Sequence, residues 1–178
     1  MTVAPSPVRK PAWSLSRSAI GLWVAEGVIG SVLLGIAAFL LAVFLPSEAP
    51  APFPLLRWLA PAAAVTYAVL AIGVRPWVRY RVHRWEVTGD AVYTLTGWLT
   101  RTWTLVPVAR IQTVDVTRGV LQQLFGLASV AVLTASSQGT VRVPHLEVDV
   151  AHRVADDLAH RLADDLARRA EQVRDQAT

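Results

Sequence analysis

At 178 residues, 53% of them hydrophobic, and with a mean hydropathy of +0.41, the chain is too apolar for an ordinary soluble domain and not apolar enough to lie in a membrane throughout. Its formal charge of +4 is unevenly spread: residues 1–84 hold eight basic side chains against two acids, and residues 85–178 hold nine against eleven. A nucleic-acid module would concentrate cations on its folded domain, because phosphate neutralisation supplies most of the affinity, so that class is excluded; with no cysteine there is neither a disulfide frame nor thiol chemistry.

Residues 1–18 form a leader containing Pro and Ser, with Arg9, Lys10 and Arg17 and no acid. It resembles the charged region of a signal peptide. The apolar run that follows, Ala19–Leu45, is 27 residues long and ends in Pro46 rather than at a small-residue cleavage site, whereas a secretory core runs to roughly 7–15 residues. A membrane-spanning helix is therefore expected over 19–45. The four prolines of residues 46–54 then suit an extracytoplasmic linker, and a second spanning helix is expected over 55–78. Within it, Trp58–Val74 would extend about 26 Å, with Pro61 near the first turn, where proline is tolerated. Two buried helices of a soluble bundle are the alternative, but such helices carry a polar face and neither run has one.

Trp13, Trp23, Trp58, Trp77 and Tyr80 fall near the expected membrane interfaces. Arg9, Lys10 and Arg17 precede the first span, Arg75, Arg79, Arg81 and Arg84 follow the second, and the linker carries only Glu48, which places both chain ends in the cytoplasm. Small residues recur at spacing four, as Gly27, Ser31 and Gly35 on the first span and Ala60, Ala64 and Ala68 on the second, and would allow a close helix contact. Glu26 lies inside the first span, where an unpaired carboxylate is costly, and Arg75 is the nearest partner in an antiparallel hairpin. Structural pairing is expected rather than a proton relay, since no second intramembrane acid or histidine accompanies it.

From His83 the pattern changes to short runs rich in β-branched and aromatic residues with turn signals between them. Strands are expected at 83–88, 91–97, 98–106, 111–117, 128–135 and 140–143, with one helical turn at Leu121–Phe125 between the fourth and fifth. A helix follows from about Val148 to Val173. Val150, Val154, Leu158, Leu162 and Leu166 make its apolar stripe, backed by Ala151, Ala155, Ala159 and Ala163, while Asp156, Asp157, Arg161, Asp164, Asp165, Arg168 and Arg169 face away. The domain spans 83–170, and the polar residues 171–178 are expected to form a disordered tail.

No catalytic constellation is present. His83, His145, His152 and His160 lack metal-ligand spacing, and the paired aspartates alternate with arginines as on a solvated, salt-bridged helix face. The strongest surface motif is RPWVRYRVHR, in which Arg75, Trp77, Arg79, Tyr80, Arg81 and Arg84 are candidates for anionic headgroups, each basic residue contributing about 1 kcal/mol near such a surface. The alternative is that these cations only enforce topology.

Four motifs, in this order, resemble the YdbS-like family of small bacterial membrane proteins with a pleckstrin-homology (PH) fold. They are Val87-Thr88-Gly89-Asp90, Gly97-Trp98-Leu99, Val106–Val114 with Arg110, Ile111, Gln112 and Val114, and Gly119–Leu127 with Leu121, Leu124, Phe125 and Gly126. The resemblance covers residues 18–168. It implies an α+β fold with a membrane anchor: a two-helix transmembrane hairpin, then a PH-like antiparallel β-sandwich or barrel capped by a C-terminal α-helix. Arg110 and Gln112 would tie strand ends, with a ligand site there as the alternative; Leu121, Leu124 and Phe125 would plug the barrel, and Gly119 and Gly126 would permit turns that a Cβ hinders. The resemblance further implies a non-enzymatic scaffold module without cofactor in the bacterial inner membrane. Its partners would be membrane lipids and other subunits, among them a larger protein with repeated PH-like domains or further copies of itself, and its role envelope maintenance. An anionic-lipid sensor is the alternative; a transporter or enzyme accessory subunit would rest on Glu26 alone.

Overall fold

A computed structural model describes residues 10–46, 53–97, 100–134 and 139–176. The chain falls into two compact units, one made of residues 20–79 and the other of residues 1–19 together with 80–178. Residues 47–52 of the expected linker, with Glu48, and most of the Gly97-Trp98-Leu99 motif lie outside the described residues.

The first unit is the helix hairpin. Helix α1 (Ser18–Phe44) is unbroken, and α2 (Phe53–Ala68) continues through a π-helical turn, Val69–Val74, into α3 (Arg75–Val82). The π turn has a local cause. Pro76 has no N–H and its ring would collide with the carbonyl of Ile72 in a regular α-helix; widening the preceding turn relieves this, and the Arg75 N–H bonds Leu70 O. Both helices are long and apolar enough to cross a membrane, and only 11% of each apolar window is buried within the chain, which is the reverse of a soluble bundle's core helices.

The second unit is a β domain with seven strands among the described residues. A four-stranded antiparallel sheet runs in the order β1 (Trp13–Ser14), β2 (Arg84–Val87), β3 (Ala91–Thr96), β4 (Thr102–Pro107). A three-stranded antiparallel sheet follows: β5 (Ile111–Thr117), β6 (Leu127–Thr134), β7 (Thr140–Glu147), with α4 (Val120–Leu124) between β5 and β6. Val92, Val106, Ile111, Leu127, Val130, Val132, Val143 and Leu146 form the core, each buried side chain contributing about 1.5–3 kcal/mol. Helix α5 (Val148–Gln176) packs across β5, β6 and β7.

Several expectations need correction. The tail from residue 171 is helical through Gln176, extending the exposed face on which Asp157–Arg161 and Asp165–Arg169 pair one turn apart at 2.8 and 2.6 Å. The buried stripe of α5 is Ala151, Ala155 and Leu158, whereas Leu166 is 56% exposed. Strand β7 does not stop before Pro144. A β-bulge sets Pro144 and His145 opposite Ser129, so the proline is absorbed on an edge strand and the ladder resumes at Ala128↔Leu146. The leader is not separate from the domain either: Trp13 pairs with Trp85 and Ser14 with Arg84.

Candidate functional site

Three arrangements gather the residues singled out by the sequence. The first lies within the hairpin. An ideal Cβ on Gly27 would stand 2.8 Å from Ala71 O, and one on Gly30 2.7 Å from Tyr67 Oη, so these two glycines mark close approach; at Gly35 nothing lies within 4 Å. Ala64 and Ala71 are the buried small residues of the second helix. The contact is thus one of small residues, but Gly30 and Ala71 belong to it and Gly35 does not. Close by in sequence, the Arg79 guanidinium stands 4.7 Å from the Trp23 ring centroid, a cation–π arrangement. Glu26 attracts the Arg79 guanidinium, a partner the spacing argument did not name, and Arg75 adds its repulsion to the same group.

The second arrangement is the leader strand on its seat. The Ala12 N–H donates to Glu86 Oε2 at 3.0 Å, the Trp85 indole N–H to Ser14 O at 3.3 Å, and the Ser16 hydroxyl to Glu147 Oε1 at 3.2 Å. Leu15 is 4% exposed and Glu86 is buried. Arg84 is half-buried and turns Nη1 to Ala12 O at 3.5 Å, so this headgroup candidate is engaged with the leader. Beside the strand runs an apolar furrow of about 470 Å³ bordered by Trp13, Leu15, Trp85, Leu146 and Val150. The other headgroup candidates lie on α3, where Arg75, Trp77 and Arg81 are exposed and Arg79 and Tyr80 half-buried.

The third arrangement is the family motif around α4. Gln122 holds it together: its Oε1 accepts from the Gly119 N–H at 3.0 Å, and its Nε2 donates to Ser129 Oγ at 2.7 Å and lies 3.1 Å from His145 Nδ1. His145 takes φ +55°, a left-handed conformation that the β-bulge imposes, and its N–H reaches Ser129 Oγ at 3.4 Å. This amide docks α4 onto the sheet, and the sequence reading missed it. With Gln122 turned inward, Val120 and Leu124 face out, 78% and 76% exposed, so Leu124 does not plug the barrel; Leu121 and Phe125 are half-buried. Gly126 needs its positive φ of +65°, while Gly119, at φ −75°, adopts a conformation open to any residue. Ile111 is in the core and Val114 half-buried. Arg110 and Gln112 are exposed and make no strand-tying hydrogen bond among the described residues; Gln112 is the extra residue of an irregularity in β5.

A polar cleft of about 510 Å³ between the β2–β3 turn and α5 is lined by Asp90, Arg161, Asp164, Asp165 and Arg168, carboxylates and guanidiniums in near balance. Among the described residues no group of three His, Asp or Glu side chains could hold a metal ion.

A hairpin of two apolar helices joined to a domain of two antiparallel sheets with a C-terminal helix defines a membrane-anchored protein of PH type. The chain belongs to the bacterial PH domain family, whose model matches residues 19–162. That range begins beyond the leader strand. The chain is also 32% identical over 89 residues to the UPF0699 transmembrane protein YdbS of Bacillus subtilis (strain 168), a match that covers 50% of this chain and 55% of that relative, so it spans about half the relative's length. No solved structure matches.

Proposed function

We propose that the chain is a non-enzymatic assembly module of the bacterial inner membrane. Its hairpin presents the PH-type domain on the cytoplasmic side, as a subunit of a complex that serves envelope maintenance, with further copies of itself or a larger protein of repeated PH-like domains as partner. PH-type folds serve many ends, so the reading rests on surface and not on fold. Val120 and Leu124 carry it: an apolar pair one turn apart, held outward on α4 by the Gln122 bonds, and suited to a partner. The β1–β2 ladder supports the topology, because strands in one sheet require the chain before α1 and after α3 to lie on one side of the membrane; the basic residues at both ends favour the cytoplasm.

The second reading, an anionic-lipid sensor, is favoured by α3, where Trp77 is 56% exposed among Arg75, Arg79 and Arg81. One experiment separates the two. Tagged full-length protein, extracted in mild detergent and weighed by native mass spectrometry, should be recovered with a second copy or another membrane subunit, and Val120→Ser with Leu124→Ser should reduce that recovery. A monomer carrying bound anionic lipid would favour the sensor, and a bare monomer would contradict the assembly reading.

A further inference from the structure

The leader strand is the one part of the β domain that the membrane hairpin separates in sequence from the rest. Residues 18–82 intervene between it and its partner β2. Its hold is modest: a ladder of two residues, a few hydrogen bonds and one buried leucine. Only Ser16 and Arg17 connect Leu15, seated in the domain, to the first residue of α1, so an exchanged strand stays tied to its own hairpin at the membrane. The seat is also wider than the strand it holds. The furrow of about 470 Å³ continues into a second of about 250 Å³, the two sharing Trp13, Trp85 and Val150, so an incoming chain has apolar surface to lie on before the resident strand leaves.

We propose that this strand exchanges between copies: Ala12–Ser16 of one chain occupies the β2 edge of another, giving a closed two-fold dimer within the membrane. The occupant is fixed by what the seat already binds. The Ala12 N–H satisfies the buried Glu86 carboxylate, Ser14 O takes the Trp85 indole, Ser16 meets Glu147 and Leu15 fills its pocket, and the same segment of a second copy supplies each of these groups. A closed exchange refills both seats, so no bond is lost, and confinement of both leaders to one membrane plane raises their effective concentration. The proposal rests on the assembly reading and gives it a geometry.

Because the chain contains no cysteine, it can be tested by cross-linking without background. Full-length Ser14→Cys and Arg84→Cys chains carrying different tags are co-expressed, oxidised in the membrane and separated without reductant. Exchange gives a covalent heterodimer several-fold in excess of the homodimers that either single variant forms alone. A heterodimer no more abundant than those homodimers overturns the proposal, as does a Ser14→Cys/Arg84→Cys chain that cross-links only within itself. The other ladder pair, Trp13→Cys with Trp85→Cys, repeats the test where the first pair disturbs folding. Capture of untagged wild-type chain by tagged wild-type chain is measured alongside. Capture without the heterodimer refutes exchange and leaves assembly standing, whereas absence of both refutes both.

Discussion

At the scale of single residues, Gln122 does more for the domain than any polar side chain the motif brought forward. Replacing it with Ala gives up the Gly119 N–H to water and removes the part-buried donor shared by Ser129 and His145. Gln122→Ala should lower the stability of the full-length protein by about 1–3 kcal/mol in denaturant titrations followed by circular dichroism, whereas Gln112→Ala and Arg110→Ala, both exposed, should stay within about 0.5 kcal/mol of wild type. An equal loss for Gln112→Ala would mean that the motif's polar residues tie the strands after all. Sequence could not separate Gln122 from Gln123 beside it. Which amide turns inward depends on a bulge whose members, Ser129 and His145, lie 7 and 23 residues away. The same blindness explains Leu124, since a helix of five residues is too short for periodicity to say which apolar side is covered.

Between elements, the hairpin is governed by how near its two helices come. Gly27, Gly30 and Gly35 of α1 should therefore respond in order. Gly27→Ala sets a methyl against a backbone carbonyl that cannot move alone and should cost about 1–3 kcal/mol. Gly30→Ala meets only the end of the Tyr67 side chain, which can rotate aside, and Gly35→Ala meets nothing. Unfolding of the full-length protein in mixed detergent–SDS micelles gives the ranking, and a Gly35→Ala loss equal to that of Gly27→Ala would contradict the contact described. The apolar runs made both helices plain in the sequence, and spacing four made a small-residue contact legible. The exact members were not legible, because spacing arguments assume an unbroken α-helix and the π turn before Pro76 breaks the register.

For the molecule as a whole, the membrane hairpin is an insertion between the first and second strands of a PH-type domain. The strands from β2 onward and the long C-terminal helix were readable from alternation, turn residues and the spacing of apolar side chains, as was the resemblance to a bacterial PH family. The first strand was not. Two residues between Ala12 and Leu15 have no period, and the sheet edge they complete lies about seventy positions away, beyond both spans. A domain cut at residue 83 would lack that strand, so the integrity of the fold has to be tested on the full chain. Hydrogen exchange of the membrane-embedded protein, with and without residues 1–16, does this directly. Removal of the leader should speed exchange at Arg84 and Trp85, the β2 residues it pairs with, while β5, β6 and β7 keep their protection. Unchanged protection at Arg84 and Trp85 would mean that the leader strand is no part of the domain.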